Sequence, residues 1–302
     1  MISDLGIVIV NWNSGKVILD CLSSIKKSGN LSDVIVVDND SSDDSVSQIR
    51  KSFSEVKILQ MRKNLGYGEG NNEGIKYFLK KGTKYILILN PDTLLEKSTI
   101  ENLVDAMEKD KKIGIAGPKI LISPPRGSTF VHPRGVLRLW SAGGIIDKNR
   151  YSGGLIGLGE VDNSQYSEEK EVDFISGTAM LVKSEVFEKA GFFPISYFMY
   201  YEDVEFCLKA QKAGFKVSFV PSSVIFHKES TSVEKDSPIH AYYMARNHLL
   251  FVERNAPIFI KIRELIRLPI TIYEHIRRGD RFALLGIRDY FLRRFGNYEY
   301  CC

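Results

Sequence analysis

The chain has 302 residues, 44% of them hydrophobic and 26% charged, with a formal net charge of +4 at neutral pH. That length and apolar content suffice for one large folded unit plus an appendage, and they exclude an intrinsically disordered chain. So small a positive excess does not imply nucleic acid, since a single local cluster of Lys and Arg would produce it.

The sequence starts Met1-Ile2-Ser3-Asp4 and enters an apolar stretch, Leu5 to Val10, that has no basic leader and is too short for a signal peptide or membrane span. Export is therefore not expected, and the expected location is the cytoplasm. Cys21, Cys207, Cys301 and Cys302 show no zinc-cage spacing. The first two read as buried helix residues, the terminal pair as an exposed tail.

Gly6 to Val10, Val34 to Val37, Val56 to Leu59 and Tyr85 to Leu89 read as strands separated by amphipathic helices. That alternation predicts right-handed crossovers and a mainly parallel sheet, with ligands bound at the carboxyl ends of the strands. From Ser123 to Glu171 the periodicity fails. Pro124, Pro125, Pro133 and many glycines there predict a long functional loop. Regular structure resumes over Asp173 to Val182, with helices from Ser184 and from Glu202 to Ala213, then strands at Val217 to Val220 and Val224 to Phe226. The α/β unit is expected to span residues 1–235 and a helical C-terminal extension residues 236–302. The extension carries Arg263, Arg267, Arg277, Arg278, Arg281, Arg288, Arg293 and Arg294 among apolar residues. It reads equally well as a basic amphipathic surface on an anionic membrane and as helices packed on the first unit or on a second copy.

Five elements carry chemistry. The first joins the strand end at Asn11-Trp12-Asn13 to Asp38, which is suited to a nucleobase or ribose; Asp40, Ser41 and Ser42 read as a turn and helix cap. The second is Asn64-Leu65-Gly66-Tyr67-Gly68-Glu69-Gly70-Asn71-Asn72, whose glycines let the backbone approach a ligand before the next helix begins. A dinucleotide fingerprint would follow the first strand instead, and Asn11 to Gly15 holds no such glycine run, which argues against a dehydrogenase. In the third, a very apolar strand ends at Asn90-Pro91-Asp92. There a carboxylate serves either a divalent cation bridging two phosphates or a turn cap. The fourth sets Glu202, Asp203 and Glu205 at a helix start beside Phe198, Tyr200 and Tyr201, so that desolvation makes a general base. The fifth is His227, at a strand end before a polar segment, placed to bring an imidazole ligand with a closing loop.

As an ordered set, Asn11-Trp12-Asn13, Val37-Asp38-Asn39, Asn64-Leu65-Gly66-Tyr67-Gly68, Asn90-Pro91-Asp92, Gly177-Thr178-Ala179, Glu202-Asp203 and His227 resemble the family 2 glycosyltransferases of the GT-A fold, over roughly residues 5 to 230. The rhamnosyltransferase-like branch is the nearest in pattern, through Tyr242-Tyr243-Met244-Ala245-Arg246-Asn247. The resemblance implies a Rossmann-like mixed sheet and an inverting, metal-dependent transfer from a dTDP- or UDP-sugar to a saccharide or lipid-linked saccharide in cell-surface polysaccharide synthesis. It implies nucleotide contacts from Asn11, Asn13, Asp38, Asn64, Gly66, Asn71 and Asn90, and a sugar floor of Gly177 and Thr178. Asp203 would be the catalytic base and Glu202 an orienting carboxylate. Asp92 would be the surviving acid of the family's D-x-D motif, whose first position is Asn90 here, and His227 the compensating ligand for Mg²⁺ or Mn²⁺. Trp140 and Arg134 are candidates for acceptor recognition, with surface packing the alternative for each. A peripheral contact with the inner face of the cell membrane and a homodimer are both compatible with the extension. The competing readings are a nucleotidyltransferase, whose glycine-rich basic signature is missing from Asn11 to Lys16, and a non-catalytic carbohydrate-binding scaffold.

Overall fold

Alternation of apolar side chains on fully buried strands builds the centre of the molecule. In β1 (Leu5–Asn11) Ile7 and Ile9 face one core while Val8 faces the other, and in β4 (Tyr85–Leu89) Leu87 and Leu89 oppose Ile86 and Ile88 in the same way. The computed structural model describes residues 4–29, 31, 34–123, 137–228 and 237–298. Arg134, the segment from Glu229 to Asp236 with the expected boundary at Lys235, and Cys301 and Cys302 lie outside the described residues.

β1, β2 (Val34–Asp38), β3 (Lys57–Gln60) and β4 are parallel, in the order β3-β2-β1-β4. Between them run α1 (Val17–Lys27), α2 (Ser45–Ser52) and α3 (Gly66–Lys80). Beyond β4 come the short β5 (Thr93–Leu95), α4 (Thr99–Lys109) and the long β6 (Ile113–Ile122). The expected loop from Ser123 to Glu171 contains four short strands among its described residues: β7 (Leu139–Ser141), β8 (Gly144–Asp147), β9 (Ser152–Leu155) and β10 (Lys170–Glu171). They are two to four residues long, too short for an alternation to be read. β11 (Ala179–Lys183) enters antiparallel between β4 and β6, which makes the sheet mixed. After α5 (Ser184–Ala190) and α6 (Glu202–Lys212), β12 (Lys216–His227) runs parallel to β6. The two strands expected at Val217 to Val220 and Val224 to Phe226 are one, because the chain passes Pro221 through a register shift instead of leaving the sheet.

Helices cover both faces. Ile18, Leu22, Ile49, Leu103 and Met107 from α1, α2 and α4 close one core. Ile75, Phe187, Phe206 and Cys207 from α3, α5 and α6 close the other, and Leu250 and Phe251 of α7 (Pro238–Asn255) join them there. The extension therefore starts as part of the main core. It continues through α8 (Ile258–Arg278) and α9 (Arg281–Phe291). Cys21 and Cys207 are fully buried, as expected, and burial pushes the Cys21 thiol up to about 12 and that of Cys207 higher still.

Two local expectations are corrected. Gly68 and Gly70 fall within α3, which starts at Gly66, so the glycine run opens the helix instead of preceding it. Gly66 has φ 79° and lies against Phe198, a Cβ on Gly70 would sit 3.0 Å from Asn39 Nδ2, and one on Gly74, farther along the helix, would enter Val8 of β1. The cap near residues 40–42 is displaced as well. α2 starts at Ser45, whose N–H is bonded by Asp43 Oδ1 at 3.2 Å, while Ser41 Oγ accepts from Asn11 and Asn13.

Gly74→Ala should therefore lose about 1–3 kcal/mol by overpacking against Val8, although alanine gains about 1 kcal/mol of helix propensity over glycine. Urea denaturation measures the sum; equal or greater stability would show that α3 and β1 tolerate separation.

Candidate active site

Strand pairing assembles the first cluster. The strand β4 ends at Leu89, the chain turns through Asn90-Pro91-Asp92, and β5 pairs antiparallel with the end of β12, with Thr93 opposite His227. That register brings together two residues far apart in sequence: Asp92 Oδ1 lies 3.3 Å from His227 Nε2, and the Lys228 N–H donates to the Asp92 carbonyl at 2.9 Å. Both side chains are buried, and neither Asp92 Oδ1 nor either imidazole nitrogen has a hydrogen-bond partner. Buried polar atoms left so are costly, of order 1–3 kcal/mol each. Two ligand atoms each about 2.1 Å from one ion and at right angles stand roughly 3 Å apart, so this orphaned pair fits a six-coordinate divalent cation. Among the described residues no group of three or more His, Cys, Asp or Glu gathers, which leaves the other positions to phosphate oxygens and water. Trp140, on β7, lies half-buried against the imidazole, ring centroids 4.7 Å apart and planes at 71°. It fixes the ring's orientation, a packing role more specific than the surface packing weighed from sequence.

The second cluster depends on a strained segment. Phe198, Tyr200 and Tyr201 have φ of 68°, 67° and 75°, in the left-handed region that costs non-glycine residues of order 1–3 kcal/mol each. α7 holds them there. Asn247 Nδ2 donates to the carbonyls of Tyr197 (3.0 Å), Met199 (2.7 Å) and Tyr200 (3.1 Å), and Arg246 donates to those of Tyr197 (2.8 Å) and Gly296 (2.8 Å). Neither Arg246 nor Asn247 has any exposed surface. The sequence hinted at this clamp only as a polar pair on the otherwise apolar face formed by Tyr242, Tyr243, Leu250 and Phe251.

The segment delivers Glu202 and Asp203 to the first turn of α6. Burial pushes the Glu202 carboxyl well above its usual range, with the neighbouring Asp203 charge adding to the shift, and Glu202 Oε2 has no partner. Burial raises Asp203 too, but two backbone donors oppose it: the Gly177 N–H reaches Oδ2 at 2.9 Å and the Val204 N–H reaches Oδ1 at 2.8 Å. With those donors on Asp203 and none on Glu202 Oε2, the pair's first negative charge belongs on Asp203. The 176–178 turn joins the clusters, since Gly177 binds Asp203 while the Thr178 carbonyl accepts the Asn90 N–H at 2.9 Å. Tyr67 fixes it from α3 by donating its hydroxyl to the Gly177 carbonyl.

The remaining predicted residues form a third group beside the first. Asn11 is fully buried, its Nδ2 donating to Asp38 Oδ1 (2.7 Å) and Ser45 Oγ (2.9 Å) and its Oδ1 accepting from Ser14, so it lies beneath Asp38 rather than at the surface. Asn13 is exposed at φ 51°, its Oδ1 accepting from the Ser42 N–H at 2.8 Å. Asn64 Oδ1 accepts from the Gly66 N–H at 2.8 Å, and Asn39 donates to the Gly66 carbonyl at 2.8 Å. Asn71 Nδ2 donates to the Tyr67 carbonyl at 3.0 Å, and its buried Oδ1 has no partner.

A parallel sheet with an antiparallel insertion, carboxylates at its strand ends and a desolvated acid pair fit a group-transfer enzyme. The chain belongs to glycosyl transferase family 2, whose model matches residues 6–190. Among curated relatives, the low-salt glycan biosynthesis hexosyltransferase Agl10 of Haloferax volcanii is 28% identical over 263 residues, 83% of this chain and 76% of the relative. The dTDP-rhamnosyl transferase RfbF of Shigella flexneri is 28% identical over 88% of this chain and 86% of its own. The N-acetylglucosaminyl-diphospho-decaprenol L-rhamnosyltransferase of Mycobacterium tuberculosis is 26% identical over 83% and 87%. Among solved structures, GalNAc-T7 with UDP, GalNAc and Mn²⁺ superposes with a TM-score of 0.62 at 18% identity, over 82% of this chain and 47% of that one. The mannosyltransferase PcManGT from Pyrobaculum calidifontis, with GDP-Man and Mn²⁺, gives 0.57 at 16% identity over 96% and 74%. The fold is GT-A, and the chain is a glycosyltransferase.

Two outcomes follow. Asn247→Ala frees the strained segment and should lower kcat roughly 10²-fold, the scale for about 1 Å of misplacement, with donor KM little changed; equal losses in both would mark a general folding defect. Glu202→Gln tests burial. A carboxyl raised in the folded state contributes stability fully present below its unfolded value of about 4.3 and lost as pH rises through the raised value. The variant should therefore melt above the wild type at neutral pH, with the gap closing near pH 4; an unchanged gap across that range would mean that Glu202 is not held in its neutral form.

Proposed function

We propose that the chain moves a sugar, rhamnose being the favoured one, from a dTDP- or UDP-linked donor to a saccharide or lipid-linked saccharide acceptor, with inversion at the anomeric carbon. The observation that carries this reading is the 176–178 turn, which ties a base of raised pKa on one side to the orphaned Asp92 and His227 pair on the other through two backbone hydrogen bonds of 2.9 Å. The two rhamnosyltransferase relatives support the sugar, the diphospho-decaprenol substrate of the mycobacterial one supports the lipid-linked acceptor, and the glycan biosynthesis of Agl10 supports the same setting here.

Asp203 takes the proton from the acceptor hydroxyl as that oxygen attacks the anomeric carbon, and its raised pKa brings it closer to the hydroxyl it must deprotonate. Such general-base assistance contributes about 10²–10⁴-fold. Glu202, kept neutral, donates a hydrogen bond to a sugar hydroxyl and so orients it. Gly177 and Thr178 form the floor below the sugar. Asp38, held by Asn11, together with Asn13, Asn64, Gly66, Asn71 and Asn90, receives the nucleoside. Asp92 and His227 hold Mg²⁺ or Mn²⁺, which when bound neutralises the charge of the departing diphosphate.

Incubation with dTDP-rhamnose and a panel of UDP-sugars, with a glycosyl diphospholipid acceptor and Mg²⁺ or Mn²⁺, should yield a glycoside of inverted configuration by NMR. Asp203→Asn should lower kcat by about 10²–10⁴-fold while the thermal shift with nucleotide persists. Asp92→Asn with His227→Ala should abolish the metal-dependent part of that shift. Nucleotide binding with no turnover of any donor would return the chain to a carbohydrate-binding scaffold.

A further inference from the structure

The extension carries a surface that transfer chemistry does not use. In α8, the large apolar side chains Phe259 (63% exposed), Ile262 (52%), Leu265 (65%), Ile266 (71%), Ile270 (60%) and Tyr273 (64%) face outward. At 100° per residue they fall within one stripe, opposite the face that buries Ile260 and Glu264 against the protein. A soluble helix ordinarily turns such a stripe inward, and an exposed apolar surface of this kind marks an interaction site. Pro269 lies in the same stripe and is also exposed. Among the described residues no helix is long and apolar enough to cross a membrane.

Charge identifies the occupant. Residues 237–302 hold eleven Lys and Arg against six Asp and Glu, while residues 1–236 hold thirty against thirty-one, so the chain's positive excess belongs to this end. On α8 itself, Arg267 lies beyond one border of the apolar stripe, with the acid Glu274 beside it, Lys261 lies beyond the other, and Arg277 follows the C-terminal end of the stripe, by the same helical spacing, while Arg263 turns inward to the Lys148 carbonyl. Two copies joined through the stripe would bring these cations together with Glu274 as the one exposed acid of the helix among them. An anionic lipid surface instead accepts both parts, the stripe at the acyl boundary and the guanidinium groups among the phosphates.

We propose that α8 lies in the plane of an anionic bilayer, its Phe259 to Tyr273 stripe sunk to the acyl boundary and Arg267 and Arg277 paired with lipid phosphates. This deepens the lipid-linked acceptor of the proposed function, because it holds the enzyme on the surface where such an acceptor resides. Membrane binding needs neither donor nor turnover, so its failure would leave the transfer reading standing, and failure of transfer would leave the binding.

The test is co-flotation of the full chain with vesicles of phosphatidylglycerol and phosphatidylcholine, beside vesicles of phosphatidylcholine alone. Binding to the anionic vesicles should be at least roughly tenfold stronger and should weaken as salt rises from about 0.1 to 1 M, where the Debye length falls from about 10 to 3 Å. Leu265→Asp with Ile266→Asp should remove it. Arg267→Glu with Arg277→Glu should lower it to the level of the neutral vesicles. Both pairs are on exposed positions, so an unchanged melting temperature and nucleotide thermal shift confirm that the fold is kept. Flotation indifferent to the apolar pair, or no flotation together with a dimer in light scattering that the same pair dissociates, would overturn the proposal, the latter in favour of a second copy.

Discussion

The site depends on holding two adjacent carboxylates, Glu202 buried and Asp203 partly so, at the first turn of α6. A backbone that brings Glu202 and Asp203 there must pass through three left-handed residues, Phe198, Tyr200 and Tyr201, which no local preference would choose. The positions persist because α7 overdetermines them: Asn247 binds the carbonyls of Tyr197, Met199 and Tyr200, and Arg246 binds that of Tyr197 as well, while its guanidinium lies over the rings of Tyr242 and Tyr243. Burying an unpaired arginine would be costly; here its donors end on the Tyr197 carbonyl at the entry to the strained turn, on the Gly296 carbonyl and on Asn247 Oδ1. The strain and the buried cation thus offset one another, and neither element is explicable alone.

The same reasoning shows what the sequence made legible. Strands announced themselves through β-branched runs, and Asp92 and His227 stood out as polar groups at the ends of very apolar strands, a pattern local enough to see. What brings those two within 3.3 Å is the antiparallel pairing of β5 with β12. β5 has three residues, too few to show an alternation, and its partner is more than a hundred residues away, so sequence gave the members of the pair and not their meeting. The glycines of α3 misled for a different reason. Gly70 and Gly74 are four residues apart, a helical spacing that puts both against β1, while Gly66 keeps the positive φ of a turn, so one run holds both the helix start and its packing face. Sequence reading placed Tyr242 to Asn247 on a helix but missed the clamp, since an arginine among tyrosines reads as a surface residue until its carbonyl partners are known.

The two ends of the active site also differ in how they are made rigid. On the nucleotide side, side chains bond side chains and turn amides: Asn11 to Asp38 and Ser45, Asn13 to Ser42, Asn64 to Gly66. Every such donor found inside the protein is one that ligand binding need not order. Toward Asp203 more polar atoms are left unpaired, at Asp92, His227 and Glu202, against Asn39 Oδ1 and Asn71 Oδ1 at the other end. Unmet hydrogen bonds in a fold otherwise careful to meet them are where ligand binding has most to gain. Preorganised walls around unsatisfied reacting groups are the arrangement expected when binding energy is directed at the transition state.

That division extends into the C-terminal helices. Along α7, Arg246 and Asn247 hold the strained turn, Arg254 reaches Ser196, and Asn255 donates to Glu205 Oε2 at 3.1 Å, so one helix follows the acid-bearing segment from Tyr197 to the first turns of α6. Three residues after Asn255 the chain begins α8, whose outward stripe has no partner among the described residues and whose inner face meets the β8–β9 turn through Arg263 to the Lys148 carbonyl and Glu264 to Arg150. The helix that positions the base and the helix offered to the lipid surface are therefore joined by a connection only Ala256-Pro257 long. Pro257 restricts that connection further by fixing its own φ. An acceptor presented from a bilayer would meet Asp203 at a height set by a short, stiff link, which makes the extension part of the enzyme's geometry and not an appendage to it.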